Sequence, residues 1–146
     1  MRRIRLVLVT SVLLAVGIAA LAEAAEATLR LGTADGANAV FAFDWTAKPR
    51  AIVLRTTQVG VAGSRIEVTV DKAKKPVLSH VFAADECKFG NSGSVCEIVI
   101  AATDPAYRQI LWRFKHGSLA RVTVMDAGVM KMNETAPLGG FAHALR

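Results

Sequence analysis

Apolar and polar residues alternate along much of the chain after residue 27, and this alternation is typical of half-buried β-strands. The clearest case is Arg65–Asp71, where Ile66, Val68 and Val70 share one face. Other short strands, separated by turn signals, are predicted at Thr28–Leu31, Val40–Trp45, Ala51–Thr57, Val77–Ala83, Cys96–Ala101, Leu119–Met125 and Val129–Thr135. The pattern predicts a mainly β protein, an antiparallel β-sandwich or curled sheet of about seven to nine strands.

The period of the pattern changes from 2 to 3.6 residues after Ala101, which indicates one α-helix. Its apolar stripe consists of residues spaced i, i+3, i+4 and i+7: Tyr107, Ile110, Leu111 and Phe114. Thr103-Asp104 supplies a capping oxygen, Pro105 suits the first turn, and Gly117 is expected to end the helix in a left-handed conformation. Because the helix has a single apolar stripe, we expect it to pack on the sheet. A short C-terminal helical turn anchored by Phe141 and Leu145 is also predicted.

The first 27 residues have the order of a secretory signal peptide. Three arginines precede an apolar run from Leu6 to Ala20, and A-x-A cleavage patterns end at Ala22, Ala24 and Ala27. The run is shorter than the roughly 20 residues of a membrane-spanning helix. We therefore expect cleavage between residues 22 and 27, no membrane span afterwards, and a single β-rich domain at 28–146. The expected location is exported, either periplasmic or extracellular.

Removal of this leader leaves a mildly basic chain. The formal net charge of +6 becomes +3 if cleavage follows Ala22 (15 basic against 12 acidic residues) and +5 if it follows Ala27 (15 against 10). This charge favours solubility and gives no indication of nucleic-acid binding. Its densest cluster, Lys72–Pro76, is interpreted as a solvated turn. The alternative, a contact with a phosphate or lipid headgroup, has weak support because the three lysines have no aromatic neighbour in sequence.

The two cysteines of an exported chain predict one disulfide, Cys87–Cys96. Their spacing differs from the C-x-x-C of redox-active pairs. The glycines and the Asn-Ser pair between them permit a tight reversal. We interpret the disulfide as the pinned end of a hairpin formed by the strands Val77–Ala83 and Cys96–Ala101. The candidate interaction loop lies between the cysteines and comprises Lys88, Phe89, Asn91 and Ser92.

Motifs of catalytic or metal-binding chemistry are incomplete. The three histidines lie far apart in sequence and lack ligand spacing, so no metal site and no cofactor are predicted. The segment Gly90–Ser94 approaches the Gly-x-Ser-x-Gly elbow of serine hydrolases but ends in serine. No catalytic residue is assigned. An enzyme remains an alternative if groups converge only in three dimensions, with His80, Asp85 and Glu86 as its best candidates.

The C-terminal half resembles the invasion-associated locus B family of exported proteins from Gram-negative bacteria. The resemblance begins with a cysteine loop at Cys87/Cys96 and a short apolar strand at Ile98–Ile100. A helix at Tyr107–Lys115 follows, which ends in a basic residue and Gly117. A hairpin at Arg121–Met132 and a Gly-Phe-x-x-Ala-Leu tail within Leu138–Leu145 complete it. The family's N-terminal Trp-x-x-Cys region has no counterpart. The resemblance implies a β-rich periplasmic or surface-associated protein without recognised catalytic residues.

These observations predict an exported, non-enzymatic accessory or binding protein of the cell envelope. Its expected partner is a protein or another envelope component. Besides the enzyme, one further alternative is an inhibitor-like interaction module that presents Lys88 to Val95 as an exposed loop.

Overall fold

A computed structural model of the chain describes residues 26–91 and 93–144. Within these residues the strands are β1 (Glu26–Gly32), β2 (Asn38–Asp44), β3 (Ala51–Thr57), β4 (Arg65–Val70), β5 (Leu78–Val81), β6 (Cys87–Gly90), β7 (Gly93–Ala101), β8 (Leu119–Asp126) and β9 (Val129–Pro137). The helices are α1 (Pro105–His116) and α2 (Gly139–Ala144), and one 3₁₀ turn covers Ala84–Glu86. The first 25 residues of the predicted leader, Ser92 and Leu145 lie outside the described residues.

The strands form two antiparallel sheets that pack as a sandwich. One sheet has the order β1-β2-β3-β7-β6 and the other the order β5-β4-β8-β9. The alternating residues of each sheet meet in one core, which includes the fully buried Phe41, Ile52, Leu54, Ile66, Val68, Val122 and Val124. The predicted mainly β sandwich with one packed helix and a short C-terminal helix is confirmed.

Helix α1 packs over the first sheet through its predicted stripe, in which Tyr107, Ile110 and Phe114 are buried. The ring of Phe114 lies 5.3 Å from that of Phe41 and 5.5 Å from that of Phe141 in α2. These edge-on aromatic contacts join both helices to β2. The helix begins as predicted, because the side chain of Asp104 accepts a hydrogen bond from the Ala106 N–H at 2.9 Å.

The predicted left-handed conformation of Gly117 is wrong. Its φ of −85° and ψ of 166° are extended, so the chain passes from α1 directly toward β8. Glycine is required there for space. A Cβ atom at this position would collide with the Val70 side chain and would lie 2.7 Å from the Arg113 carbonyl oxygen.

The predicted pairing of Val77–Ala83 with Cys96–Ala101 is also wrong. Strand β5 pairs with β4, whereas β7 pairs with β3 and β6. The 3₁₀ turn carries the chain from one sheet to the other between β5 and β6. The segment between the cysteines is therefore mostly strand, since β6 ends at Gly90 and β7 begins at Gly93.

Candidate interaction surface

The disulfide predicted from the sequence is confirmed. Cys87 and Cys96 are directly opposite residues of β6 and β7, with Cα atoms 4.1 Å apart. Cys96 is fully buried in the core, and Cys87 packs against the core from the edge. The bond therefore fastens the outermost strand of the sheet to an interior strand.

Strand β6 presents an open backbone edge. It is the last strand of its sheet and pairs on one side only, with β7. The short Cα–Cα distance at Cys87 and Cys96 indicates a non-hydrogen-bonded pair of the antiparallel ladder. Because the two kinds of pair alternate along a ladder, the N–H and C=O groups of Cys87 and Phe89 point away from β7. An additional strand can pair with these groups.

Phe89 is the most exposed large apolar side chain on this edge, with 82% of its surface accessible. It lies two residues from Cys87 and therefore on the same face of the sheet as the disulfide. The described part of the opposite sheet leaves its ring uncovered, although its cross-strand neighbour Ser94 is buried. The result is an uncovered aromatic ring beside an open backbone edge.

The other residues of the candidate loop divide between the hairpin strand and its turn. Lys88 lies opposite Val95 and faces the other side of the sheet from Phe89. Asn91 is exposed in the turn, and Ser92 lies outside the described residues. The structure thus brings Lys88, Phe89 and Asn91 together on one β6–β7 hairpin. We name the surface formed by these three residues and the outer edge of β6 the hairpin surface.

The sequence predicts the residues of the hairpin surface but not the open edge of β6. Because it predicts a loop between the two cysteines, the sequence pattern does not reveal the edge position of β6. Its sequence signal was the pair of glycines, Gly90 and Gly93, on either side of two residues. That spacing is typical of a two-residue β-hairpin.

Two of the three groups proposed for an enzyme meet in the structure. The Nε2 atom of His80 lies 2.8 Å from Oε2 of Glu86, which also accepts a hydrogen bond from the Ala83 N–H at 2.8 Å. Partial burial acts to raise the pKa of Glu86, but these hydrogen bonds outweigh it and the pKa lies below its ordinary value. Asp85 is exposed and does not take part. The contact joins β5 to the 3₁₀ turn.

The remaining histidines are separate from this pair. His116 lies at the end of α1, with Nδ1 2.9 Å from the carbonyl oxygen of Trp112, and its ring stacks on the Trp112 indole. His143 is exposed in α2. Among the described residues, no group of three or more His, Cys, Asp or Glu side chains is arranged to hold a metal ion.

No family model, curated protein or solved structure matches this chain. Neither helix in the described ranges is long and apolar enough to cross a membrane.

Proposed function

We propose that this chain is an exported, non-enzymatic binding or accessory protein of the bacterial cell envelope, similar to the invasion-associated locus B family, and that it binds a protein partner through the hairpin surface. The leader sequence and the disulfide support export, because disulfides persist in oxidising compartments outside the cytoplasm. The loose C-terminal motif supports the family resemblance.

The observation that carries the proposal is Phe89, 82% exposed on a strand whose outer backbone groups are open. Partners that bind sheet edges add a strand through main-chain hydrogen bonds and place alternate side chains in pockets. Phe89 is suited to such a pocket. The disulfide restricts the conformations of β6 before binding, which lowers the entropy lost when the complex forms.

The experiment is affinity capture from the native envelope fraction, followed by measurement of Kd for the captured protein. Phe89→Ser removes the ring, and we expect Kd to rise roughly 30-fold, as for a hot-spot aromatic. Val129→Ser is the matched control, since Val129 is 55% exposed beside the turn of the β8–β9 hairpin. Its Kd is expected to stay at the wild-type value. A Phe89→Ser protein that binds the partner as tightly as wild type would contradict the proposal.

A further inference from the structure

Positive charge is concentrated on two segments of the described chain. Residues 26–91 and 93–144 contain 14 basic and 11 acidic residues. Six of the basic residues lie in the Lys72–Pro76 loop and in α1, and these two segments contain no acidic residue. The rest of the described chain has 8 basic and 11 acidic residues. The whole surplus of positive charge is therefore carried by the loop and the helix.

The fold places these two segments on either side of one groove. Its volume is about 610 Å³, and its lining includes Lys75, Pro76 and Val77 on the loop side and Arg108, Trp112 and Arg113 on the helix side. On the helix, Arg108, Trp112 and Lys115 follow at i, i+4 and i+7 and share an exposed side. We name the loop and this exposed side of α1 together the cationic face.

The cations of the cationic face form no salt bridge among the described residues, and the neighbouring Arg113 guanidinium lies over the Trp112 ring, 5.5 Å from its centroid. Among the described residues, the salt bridges join Arg55 to Glu97 and His80 to Glu86, both away from this face. The carboxylate of Asp71 lies near enough to Arg113 for their charges to attract, but it forms no salt bridge with that residue. Its Oδ1 atom accepts hydrogen bonds from the Ser118 and Leu119 N–H groups, both at 2.9 Å. These hydrogen bonds, and then the charge of Arg113, hold the pKa of Asp71 below its ordinary value.

An exposed indole lies among these cations. Trp112 is 57% exposed, and its ring stacks on His116 with centroids 4.8 Å apart. A tryptophan with an apolar ring and a polar N–H, beside lysine and arginine, is the combination enriched at lipid–water interfaces. Basic clusters next to such a side chain are attracted to anionic lipids.

We propose that the cationic face binds the phosphate groups of anionic lipid headgroups at a membrane surface. The apolar floor of the groove, formed in part by Val70 and Val77, and the exposed Trp112 extend beyond what a free phosphate ion contacts. The five cations of the face, three on the loop and two on the exposed side of α1, are spread over two segments, which fits a surface of many phosphates. Because the rest of the described chain carries surplus negative charge, an anionic surface orients the protein with this face toward it.

The test is the partitioning of the exported protein, its N-terminus established by mass spectrometry, onto vesicles. Vesicles of phosphatidylcholine with one quarter phosphatidylglycerol are compared with vesicles of phosphatidylcholine alone. We expect binding to the anionic vesicles only, weakened by salt, with a blue shift of tryptophan fluorescence that Trp112→Phe abolishes. Lys75→Gln with Arg108→Gln should lower the partition coefficient roughly 25-fold, about fivefold per removed charge.

The matched control is Arg65→Gln with Lys131→Gln, two exposed cations outside the cationic face. It removes the same net charge and should change partitioning far less. Equal losses in both double variants, or no binding to anionic vesicles, would overturn the proposal. So would displacement by millimolar inorganic phosphate at constant ionic strength, since a free phosphate ion would then be the ligand. Circular dichroism melting confirms that each variant is folded, and Phe89→Ser should bind vesicles like wild type, so this proposal and the hairpin proposal fail independently.

Discussion

At the residue scale, two glycines of this protein are required by close packing. Besides Gly117, Gly60 has no room for a side chain. A Cβ atom there would lie 2.7 Å from Oγ1 of Thr56 and 3.2 Å from Sγ of Cys96. Gly60 therefore allows the chain to pass directly behind the disulfide. Both positions are sensitive to a single methyl group, because a packed interior has no space to receive it.

We predict that Gly117→Ala lowers the free energy of unfolding by about 1–3 kcal/mol through overpacking against Val70 and Arg113. Its backbone is extended, so the cost comes from the collision and not from φ. Gly140→Ala in α2 is the control, because apart from its chain neighbours and the nearby backbone of its own helix no atom lies within 4 Å of its added Cβ. That variant should be neutral or slightly stabilising, since alanine favours helices. Urea denaturation measures both, and equal stabilities of the two variants would contradict the packing explanation.

At the element scale, β6 depends on two links to the rest of the molecule. They are its ladder with β7 and the Cys87–Cys96 disulfide. Every other strand of this sheet except the edge strand β1 has a partner on both sides. The hairpin surface is therefore the part of the sandwich most dependent on oxidation.

We predict that reduction lowers the free energy of unfolding by roughly 2–3 kcal/mol, the loop-entropy value for a closure of this length. Amide hydrogen exchange should increase in Cys87–Gly90 but remain slow in the interior strand β3. A Cys87→Ala, Cys96→Ala variant should behave like the reduced protein. Melting temperature and hydrogen exchange with and without reductant measure the effect. An unchanged melting temperature after reduction verified by mass spectrometry would contradict it.

Most elements followed from local patterns, but strand β6 and the pairing of the strands did not. The alternation in Arg65–Val70 and the stripe in α1 predicted which side chains are buried, because neighbours in sequence impose both periods. The pairing of β5 with β4 and of β6 with β7 depends on which sheet the chain enters after the 3₁₀ turn. The periodicity of apolar residues does not indicate which sheet the chain enters.

At the scale of the whole molecule, the first strand bears on export. Ala27 lies in β1, which begins at Glu26. It is 2% exposed and pairs with Phe43 of β2. Cleavage after Ala27 would remove the first residues of this strand. The sites after Ala22 and Ala24 leave β1 complete.

We therefore predict that the exported protein begins at Glu23 or Ala25. Expression in a Gram-negative host, followed by intact-mass measurement of the periplasmic fraction and the medium, checks this. A start at Thr28 would show that β1 forms without its first two residues. Retention of Met1 in the exported protein would contradict the leader assignment.

The molecule also presents its two proposed binding surfaces on different elements. The hairpin surface depends on one exposed aromatic ring and backbone edge groups, and the cationic face depends on charges from a loop and a helix. The sequence contained a signal for the second surface, because α1 carries basic residues and no acidic one. The sequence does not connect α1 with Lys72–Pro76, because the two segments come to line one groove only in the folded chain.

The sequence by itself determined the β-rich class, the disulfide, and the buried stripe of α1, because alternation, helical period and cysteine count are properties of nearby residues. Only the tertiary structure decided that β6 is an edge strand, that Phe89 is uncovered, and that Lys75 faces Arg108 and Trp112 across a groove. These features depend on contacts between segments distant in sequence. The free energy of such contacts comes from packing the whole sandwich, which no local pattern specifies.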